Sequence, residues 1–433
     1  METLQDLLFP IGVLLLVIAS QLYWLRRLIR LGEPYFPGKW GRAGLKTVVA
    51  GPCLFFFAYL LLPLTGIGRN REHPSTTLTL RNILVDAPFW WWFVGSLVGS
   101  TVALIFGILK RVCRAGARLY SKVRAIGAAC SSASGTATVV HDPPSPPRRR
   151  FLEQTIAAVS AAPFVAAGYG LLYGRLDLEV THQSIRLTRL PKALEGFRIV
   201  HLSDIHISPF MTGEQVRHYV EIANGLKPDL VALTGDYLSG DPRAQGEVVD
   251  SLAGLHAPCG VFGCLGNHEF FTDTEASITG LFAAKQIRIL RQERASIQSR
   301  GETLNLIGVD YQEKRFSPDH DGHLVDQYLQ GNEKLVMPGM VNILLDHNPS
   351  AFDRAAELGI DLTLSGHSHG GQVSLEFLRR GLSLAYTETP YVSGWYEKAG
   401  SQLYVNRGIG TTGPPIRFGE RPEITVLELT RWE

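Results

Sequence analysis

The sequence predicts an α/β protein preceded by a helical, membrane-embedded part, and three observations carry that expectation. Apolar runs of membrane-spanning length recur through the first 175 residues. From Arg198 onward, short apolar segments alternate with amphipathic stretches. Those apolar segments end in polar tips rich in Asp, Asn and His. At 433 residues the chain exceeds a single typical domain, so two parts are expected, a membrane domain over 1–175 and a second domain over 179–433.

Four apolar runs define the first part: Leu7–Leu25, Val48–Leu64, Phe89–Leu109 and Thr155–Tyr173. Each approaches the roughly 20 residues a helix needs to cross the hydrocarbon core, and none contains Asp, Glu, Lys or Arg. Charges inside the spans would point to transport, so these helices read as an anchor. The triplet Trp90, Trp91 and Trp92 at the start of the third run fits an aromatic belt at the interface.

Basic residues set the expected orientation. Arg26, Arg27, Arg30, Lys39, Arg42 and Lys46 lie between runs one and two, and Lys110, Arg111, Arg114, Arg118, Lys122 and Arg124 come after run three. The loop between runs two and three is poorer in such charge, with Arg69, Arg71 and Arg81 partly offset by Glu72 and Asp86. The positive-inside rule then places the first and third loops in the cytoplasm, and both termini outside. The expected location is a multi-pass cell-membrane protein whose second domain faces the exterior.

The Ala, Ser, Gly and Pro content of Ile126–Pro147 reads as flexible linker, within a basic cytoplasmic segment over 125–150. Arg148-Arg149-x-Phe151-Leu152 is similar to a twin-arginine export signal, and it is equally a basic flank of the fourth apolar run. Both readings place the second domain outside. Formal net charge is +2, from 42 basic and 40 acidic residues, which carries no nucleic-acid signature and leaves oligomeric state open. Five cysteines form neither a zinc-ribbon nor a disulfide-rich pattern. Cys259 and Cys264 bracket a strand of roughly 17 Å, too far apart to bridge, and read as reduced packing residues.

In the second part, RIVHLSDIH, DLVALTGDY, GVFGCLGNHE, NILLDHNP and DLTLSGHSH each run from apolar residues into a polar tip. Continuous apolar runs of this kind are strands covered on both faces. Gly213–Leu226, Ala244–Leu255, Thr274–Lys285 and Ser350–Leu358 read as the helices between them. Ligands in such folds gather at the carboxyl ends of strands, where every tip falls. The tips collect Asp204, His206, Asp236, Asn267, His268, His347, His367 and His369. This nitrogen and oxygen set suits Mn, Fe, Zn or a similar divalent ion, and it has too many donors for one four-coordinate ion.

The ordered set DIH, GD, GNHE, a lone His and GHSH resembles the calcineurin-like metallophosphoesterase superfamily over roughly Gly196 to Leu429. The tail YVNRGIGTTGPPIRFGERPEITVLEL looks like its membrane-anchored or exported bacterial branch. The resemblance implies a four-layer α/β/β/α sandwich of two mixed sheets. It implies two divalent metal ions, one held by Asp204, His206, Asp236 and His369. Asp236, Asn267, His347 and His367 would hold the other, so Asp236 bridges. Glu269 stands where many relatives carry Asp, which bears on the geometry around His268. Gly366, Gly370 and Gly371 let the GHSH loop bend so that His367 and His369 each serve a metal, and Gly370 and Gly371 are expected to keep the phosphate entrance clear.

The implied activity is hydrolysis of a phosphodiester or phosphomonoester by a metal-bound hydroxide, with Asn267 helping as a donor. His268, a non-ligand in this scheme, stabilises phosphoryl oxygens or protonates the leaving alkoxide. Arg407 and Arg417 are candidates for contacts to substrate phosphate, or are solvated surface charges. A phosphate or diphosphate on a lipid presented by the membrane is the alternative substrate. A transporter or sensor with a non-catalytic domain is a further reading, opposed by the complete ligand set.

Overall fold

Residues 2–61, 76–131, 146–312, 316–318, 324–326, 328–375 and 381–432 are described by a computed structural model, which divides into two compact units. The first unit comprises Met1–Asn70 and Pro88–Gly168, and the second Arg71–Ala87 and Tyr169–Glu433.

The apolar runs of the amino-terminal part form helices α1 (Glu2–Gly32), α2 (Lys39–Leu61), α3 (Ala87–Ser131) and α4 (Pro146–Tyr169). Three stretches, Lys39–Leu60, Asn82–Arg124 and Gln154–Gly174, are long and apolar enough to cross a membrane. The run Leu7–Leu25 lies within α1, where the side chains of residues 2–10 and 13 fall outside the described set. Leucines along these helices, such as Leu15 and Leu104, are exposed, as lipid-facing positions would be. Phe56 stacks on Phe89 at 5.1 Å and on Phe93 at 5.8 Å, and Gln21 donates to Ser96.

One expectation changes here, that of the linker. Within the tryptophan triplet, Trp90 packs against the Phe56–Phe89 cluster, the Trp92 indole donates to Gln21, and Trp91 is exposed. The expected linker is helical at both described ends, since α3 runs on to Ser131 and α4 begins at Pro146. Residues 132–145 lie outside the described set. Helix-compatible Arg, Lys, Leu and Val carry α3 past its apolar run, which residue charge alone had marked as loop.

Among the described residues, the second unit has fourteen strands. They are β1 (Glu179–Leu187), β2 (Phe197–Leu202), β3 (Leu230–Thr234), β4 (Val261–Cys264), β5 (Ile287–Ile289), β6 (Glu293–Ser299), β7 (Glu302–Gly308), β8 (Phe316–Pro318), β9 (Leu324–Asp326), β10 (Asn342–Leu345), β11 (Leu362–Ser365), β12 (Gly394–Lys398), β13 (Ser401–Val405) and β14 (Glu423–Arg431). One six-stranded sheet has the order β1-β14-β2-β3-β4-β5, with β2 through β5 parallel and β14 antiparallel to β2. The other has the order β12-β13-β11-β10-β7-β6, parallel from β13 to β7 with antiparallel edges. Both sheets are mixed.

Alternation along β2 shows how the layers form. Phe197 and Ile199 join Leu304, Ile343, Leu345 and Leu364 of the second sheet in one core. Val200 and Leu202 face the opposite way, into a core with Val216 and Val220 of α5 (Gly213–Gly225) and Val248 and Leu252 of α6 (Gln245–Leu252). That core also takes Ile278 and Phe282. On the far side, Ile307 and Leu344 pack against Ala351 and Ala355. Strands buried on both faces explain why β2, β3, β10 and β11 read as unbroken apolar runs. The result is the expected α/β/β/α sandwich, with the carboxyl ends of its parallel strands supplying the polar tips.

Candidate metal centre

The central strands of both sheets deliver side chains to one place. β2 leads into Asp204 and His206, β3 into Asp236, and β4 into Asn267 and His268. From the second sheet, β10 leads into His347, and β11 into His367 and His369. All eight residues found in the sequence come together. Ligand atoms of Asp204, His206 and His369 lie within 4.8 Å of one another, as do those of Asp236, His347 and His367.

Asp236 joins the two groups through a single oxygen. Its Oδ2 lies 3.4 Å from His206 Nε2 and 3.3 Å from His347 Nε2. On one side, His206 Nε2 faces His369 Nε2 at 3.1 Å, and His369 Nε2 lies 3.3 Å from Asp204 Oδ1. On the other, Asn267 Oδ1 lies 3.0 Å from His347 Nε2 and 2.9 Å from His367 Nδ1. Lone pairs of carboxylates, an amide oxygen and imidazoles therefore converge on two neighbouring spaces.

The remaining ring nitrogens set the direction of these lone pairs. His206 Nδ1 donates to the Leu238 carbonyl at 3.0 Å, and His347 Nδ1 to the Thr234 carbonyl at 2.6 Å. With Nδ1 committed as a donor, Nε2 is the atom left for a proton or a cation. Burial acts to lower the His347 pKa, but the charge and hydrogen bond of Asp236 prevail and raise it to about 10. Burial and the neighbouring His347 charge push His367 down to about 4. Burial, His206 and the Arg417 guanidinium hold His369 well below the usual histidine range. His347 thus favours a proton where a cation is offered a ligand, which a divalent ion would displace, while His367 and His369 are held neutral with lone pairs available. The donor set fits such ions.

The backbone achieves this convergence through unusual conformations. Asp204 (φ 51°), His206 (φ 47°), Asp236 (φ 53°), His367 (φ 71°) and His369 (φ 53°) all adopt the left-handed region that non-glycine residues avoid. Such strain collects at functional sites, where surrounding structure holds it in place. The glycines of the GHSH loop serve close packing. A Cβ on Gly366 would collide with Ser203 Oγ and Asp204 Oδ2. Gly370 (φ 63°) and Gly371 (φ 86°) adopt left-handed conformations, and a Cβ on either would collide with Glu420 or Ser383, so both shape the turn.

Glu269, fully buried, explains how the Asp236 loop is held. Its Oε1 accepts from the backbone N–H groups of Tyr237 and Leu238, and its Oε2 from those of Asp236 and Gly266. Burial and the Asp236 charge push this carboxyl up to about 7, while the four N–H donors favour the carboxylate. His268 is half-buried, its backbone N–H donates to Asp236 Oδ1, and its ring stands 4.6 Å from that of His206. A ring nitrogen of His268 also falls within 4.8 Å of ligand atoms of His206 and Asp236.

Neither of the two arginines is a solvated surface charge. Arg417 is 1% exposed, and its guanidinium donates to the carbonyls of Arg407, Gly408 and Gly410, with Nη2 3.3 Å from His369 Nδ1. Arg407 pairs with Glu423 and Glu179 at 2.9 and 2.8 Å. Both guanidinium groups tie the carboxy-terminal loops together, and Arg417 Nη1 is buried with no hydrogen-bond partner. Tyr311, which sequence reasoning missed, sets its ring 6.3 Å from His347 and 6.0 Å from His367. It lies beyond a strand end with no motif around it. Among the described residues, Cys53, Cys113, Cys259 and Cys264 are free thiols, as expected for Cys259 and Cys264.

A two-sheet sandwich with Asp, Asn and His at its strand ends defines a metal-dependent phosphoester hydrolase. The chain belongs to the calcineurin-like phosphoesterase family, whose family model matches residues 197–371. An uncharacterized metallophosphoesterase of Bacillus subtilis, YkuE, is 31% identical over 289 residues, which is 65% of this chain and 97% of that protein. A Bos taurus transmembrane protein with metallophosphoesterase domain is 32% identical over 60% of this chain and 59% of its own length. The UDP-2,3-diacylglucosamine pyrophosphatase LpxG of Chlamydia trachomatis is 27% identical over 58% of this chain and 88% of its own. The candidate spans and the transmembrane relatives mark this chain as a membrane protein.

Proposed function

We propose that the protein is a membrane-anchored phosphoesterase that uses two divalent ions bridged by Asp236, with its catalytic domain on the exterior of the cell membrane. The observation that carries this reading is the shared Oδ2 of Asp236, which faces an imidazole nitrogen of each ligand group. Asp204, His206 and His369 complete one set, and Asn267, His347 and His367 the other. Divalent ions in these positions supply Lewis acidity toward a phosphoryl group and lower the pKa of a bound water.

The chain's own residues do the rest. Carbonyls of Leu238 and Thr234 orient His206 and His347, and Glu269 fixes the loop that presents Asp236. His268 lies beside the first ligand group with its ring half-buried, placed to deliver a proton to the departing oxygen or to offset phosphoryl charge. Exterior placement is supported by the basic loops after the first and third apolar runs. The complete ligand set opposes a non-catalytic sensor or transporter domain.

Hydrolysis of bis(p-nitrophenyl) phosphate by the purified, metal-loaded full chain tests this reading. Asp236→Asn should reduce both metal content and turnover, because it weakens the ligand common to both sets. Full turnover by Asp236→Asn would reject the reading.

A further inference from the structure

The second unit exposes apolar side chains on two segments that both meet the Arg417–Phe418 stretch, the end of the last candidate span and the loop after the GHSH motif. That span reaches Gly174, and its final residues Leu172 and Tyr173 are 75% and 54% exposed. The wide turn at Gly170–Gly174 presses on Arg417, whose N–H donates to the Gly170 carbonyl at 3.3 Å. A Cβ on Gly170 would come within 2.6 Å of the Arg417 carbonyl oxygen, so only glycine permits this approach. The next residue, Phe418, meets the Tyr169 ring at 6.3 Å.

Phe418 also pairs with the loop that leaves the GHSH motif. Its N–H donates to the Gln372 carbonyl at 2.9 Å, and its carbonyl accepts from Ser374 at 2.8 Å. Leu375 donates to Leu382, and Ser383 Oγ to the Gly370 carbonyl, which ties the loop to the turn holding His369. Four apolar side chains of this loop, Val373, Leu375, Leu382 and Leu384, are exposed, and Leu384 is 82% so. A chain of direct contacts therefore runs from the last turn of the span through Phe418 to these leucines and to a candidate metal ligand.

We propose that the loop arms Val373–Leu375 and Leu382–Leu384 bed into the bilayer interface beside the end of the span, and that the substrate is a phosphate ester carried on a lipid. Clustered exposed apolar side chains call for a partner, and here they are linked through Phe418 to the end of a segment composed to lie in lipid. Because the loop grows out of the His367–His369 turn, its insertion holds the metal centre at headgroup depth. A scissile phosphate in the bilayer reaches the centre without leaving the membrane. The substrate part of this proposal rests on the hydrolase reading above; the membrane contact stands without it.

The test uses the full chain in nanodiscs of phosphatidylcholine and phosphatidylglycerol. With p-benzoylphenylalanine in place of Leu384, irradiation should yield a phospholipid adduct, whereas the same group in place of the exposed Leu281 should not. No adduct at 384, or equal adducts at both positions, overturns the membrane contact. In parallel, two aryl phosphodiesters with one scissile bond, methyl and hexadecyl p-nitrophenyl phosphate, report on the substrate class. The hexadecyl ester should be favoured in kcat/KM by about tenfold or more, and the Leu382→Asp/Leu384→Asp protein should lose that preference while cleaving the methyl ester normally. Equal rates on both esters overturn the lipid substrate. Cleavage of neither ester rejects the hydrolase reading, and the adduct still decides the contact.

Discussion

Replacing Glu269 by Gln should loosen the Asp236 loop and weaken metal binding, although Glu269 itself is no ligand. Its carboxylate accepts four backbone N–H bonds of 2.9 to 3.0 Å, two on each oxygen. Gln keeps one oxygen and puts an NH2 group in place of the other. In either amide orientation, that group faces two N–H donors it cannot accept from. Two hydrogen bonds to a charged acceptor are lost, each contributing about 1.5–3 kcal/mol, which gives about 3–6 kcal/mol. Burial and Asp236 raise the Glu269 pKa to about 7, so desolvation already offsets part of the charged bonds and the lower figure is the expected one. Groups that orient metal ligands typically influence affinity by about 10–100-fold, and a loss in that range is expected here. Thermal unfolding and calorimetric metal titration of the Glu269→Gln protein measure both effects. Unchanged unfolding temperature together with unchanged metal affinity would refute the reasoning.

Three other outcomes are expected. His268→Ala should retain metal and lose about 10²-fold more turnover on a diester with a poor alkoxide leaving group than on an activated aryl diester; equal losses on both would leave charge stabilisation as its role, and loss of metal would make it a ligand. His201 is fully buried, and burial pushes its pKa down to about 3, so between pH 6.5 and that value the unfolded chain binds a proton the folded one does not. Stability should therefore fall as pH drops below about 6.5, by ~1.4 kcal/mol per unit from this group, and denaturant titrations of the wild type and a His201→Gln protein should diverge across that window. Reporter fusions after Gly174 should behave as exported and fusions near Ser131 as cytoplasmic, and Arg148→Lys with Arg149→Lys should block export only if a twin-arginine receptor reads the pair.

Much of the candidate site was legible because its residues are polar groups at the ends of apolar strands. Asp204, Asp236 and His347 interrupt runs such as RIVHLS and NILL, and a buried strand has no other use for them. Strand identity was equally clear for β2, β3, β4, β10 and β11. Edge and antiparallel strands were harder, since β6 (ERASIQS) mixes polar and apolar residues as a loop would. The left-handed backbone at five of the eight site residues left no trace, because Asp and His do not announce such conformations as glycine does. The carbonyl and carboxylate partners of Arg407 and Arg417 were not legible for a physical reason: a guanidinium binds phosphate, carboxylate and carbonyl oxygens alike, and only packing says which surround it. The carbonyl partners of His206 and His347 come from β3 and the loop after it, far off in sequence.

Anomalous diffraction from crystals of the Mn-loaded protein tests the central claim most directly. Two peaks per chain are expected, about 3.5–4 Å apart, with Asp236 Oδ2 between them. Asp204, His206 and His369 should surround one peak, and Asn267, His347 and His367 the other. A single peak in a catalytically active crystal, or two peaks without Asp236 between them, would contradict the claim.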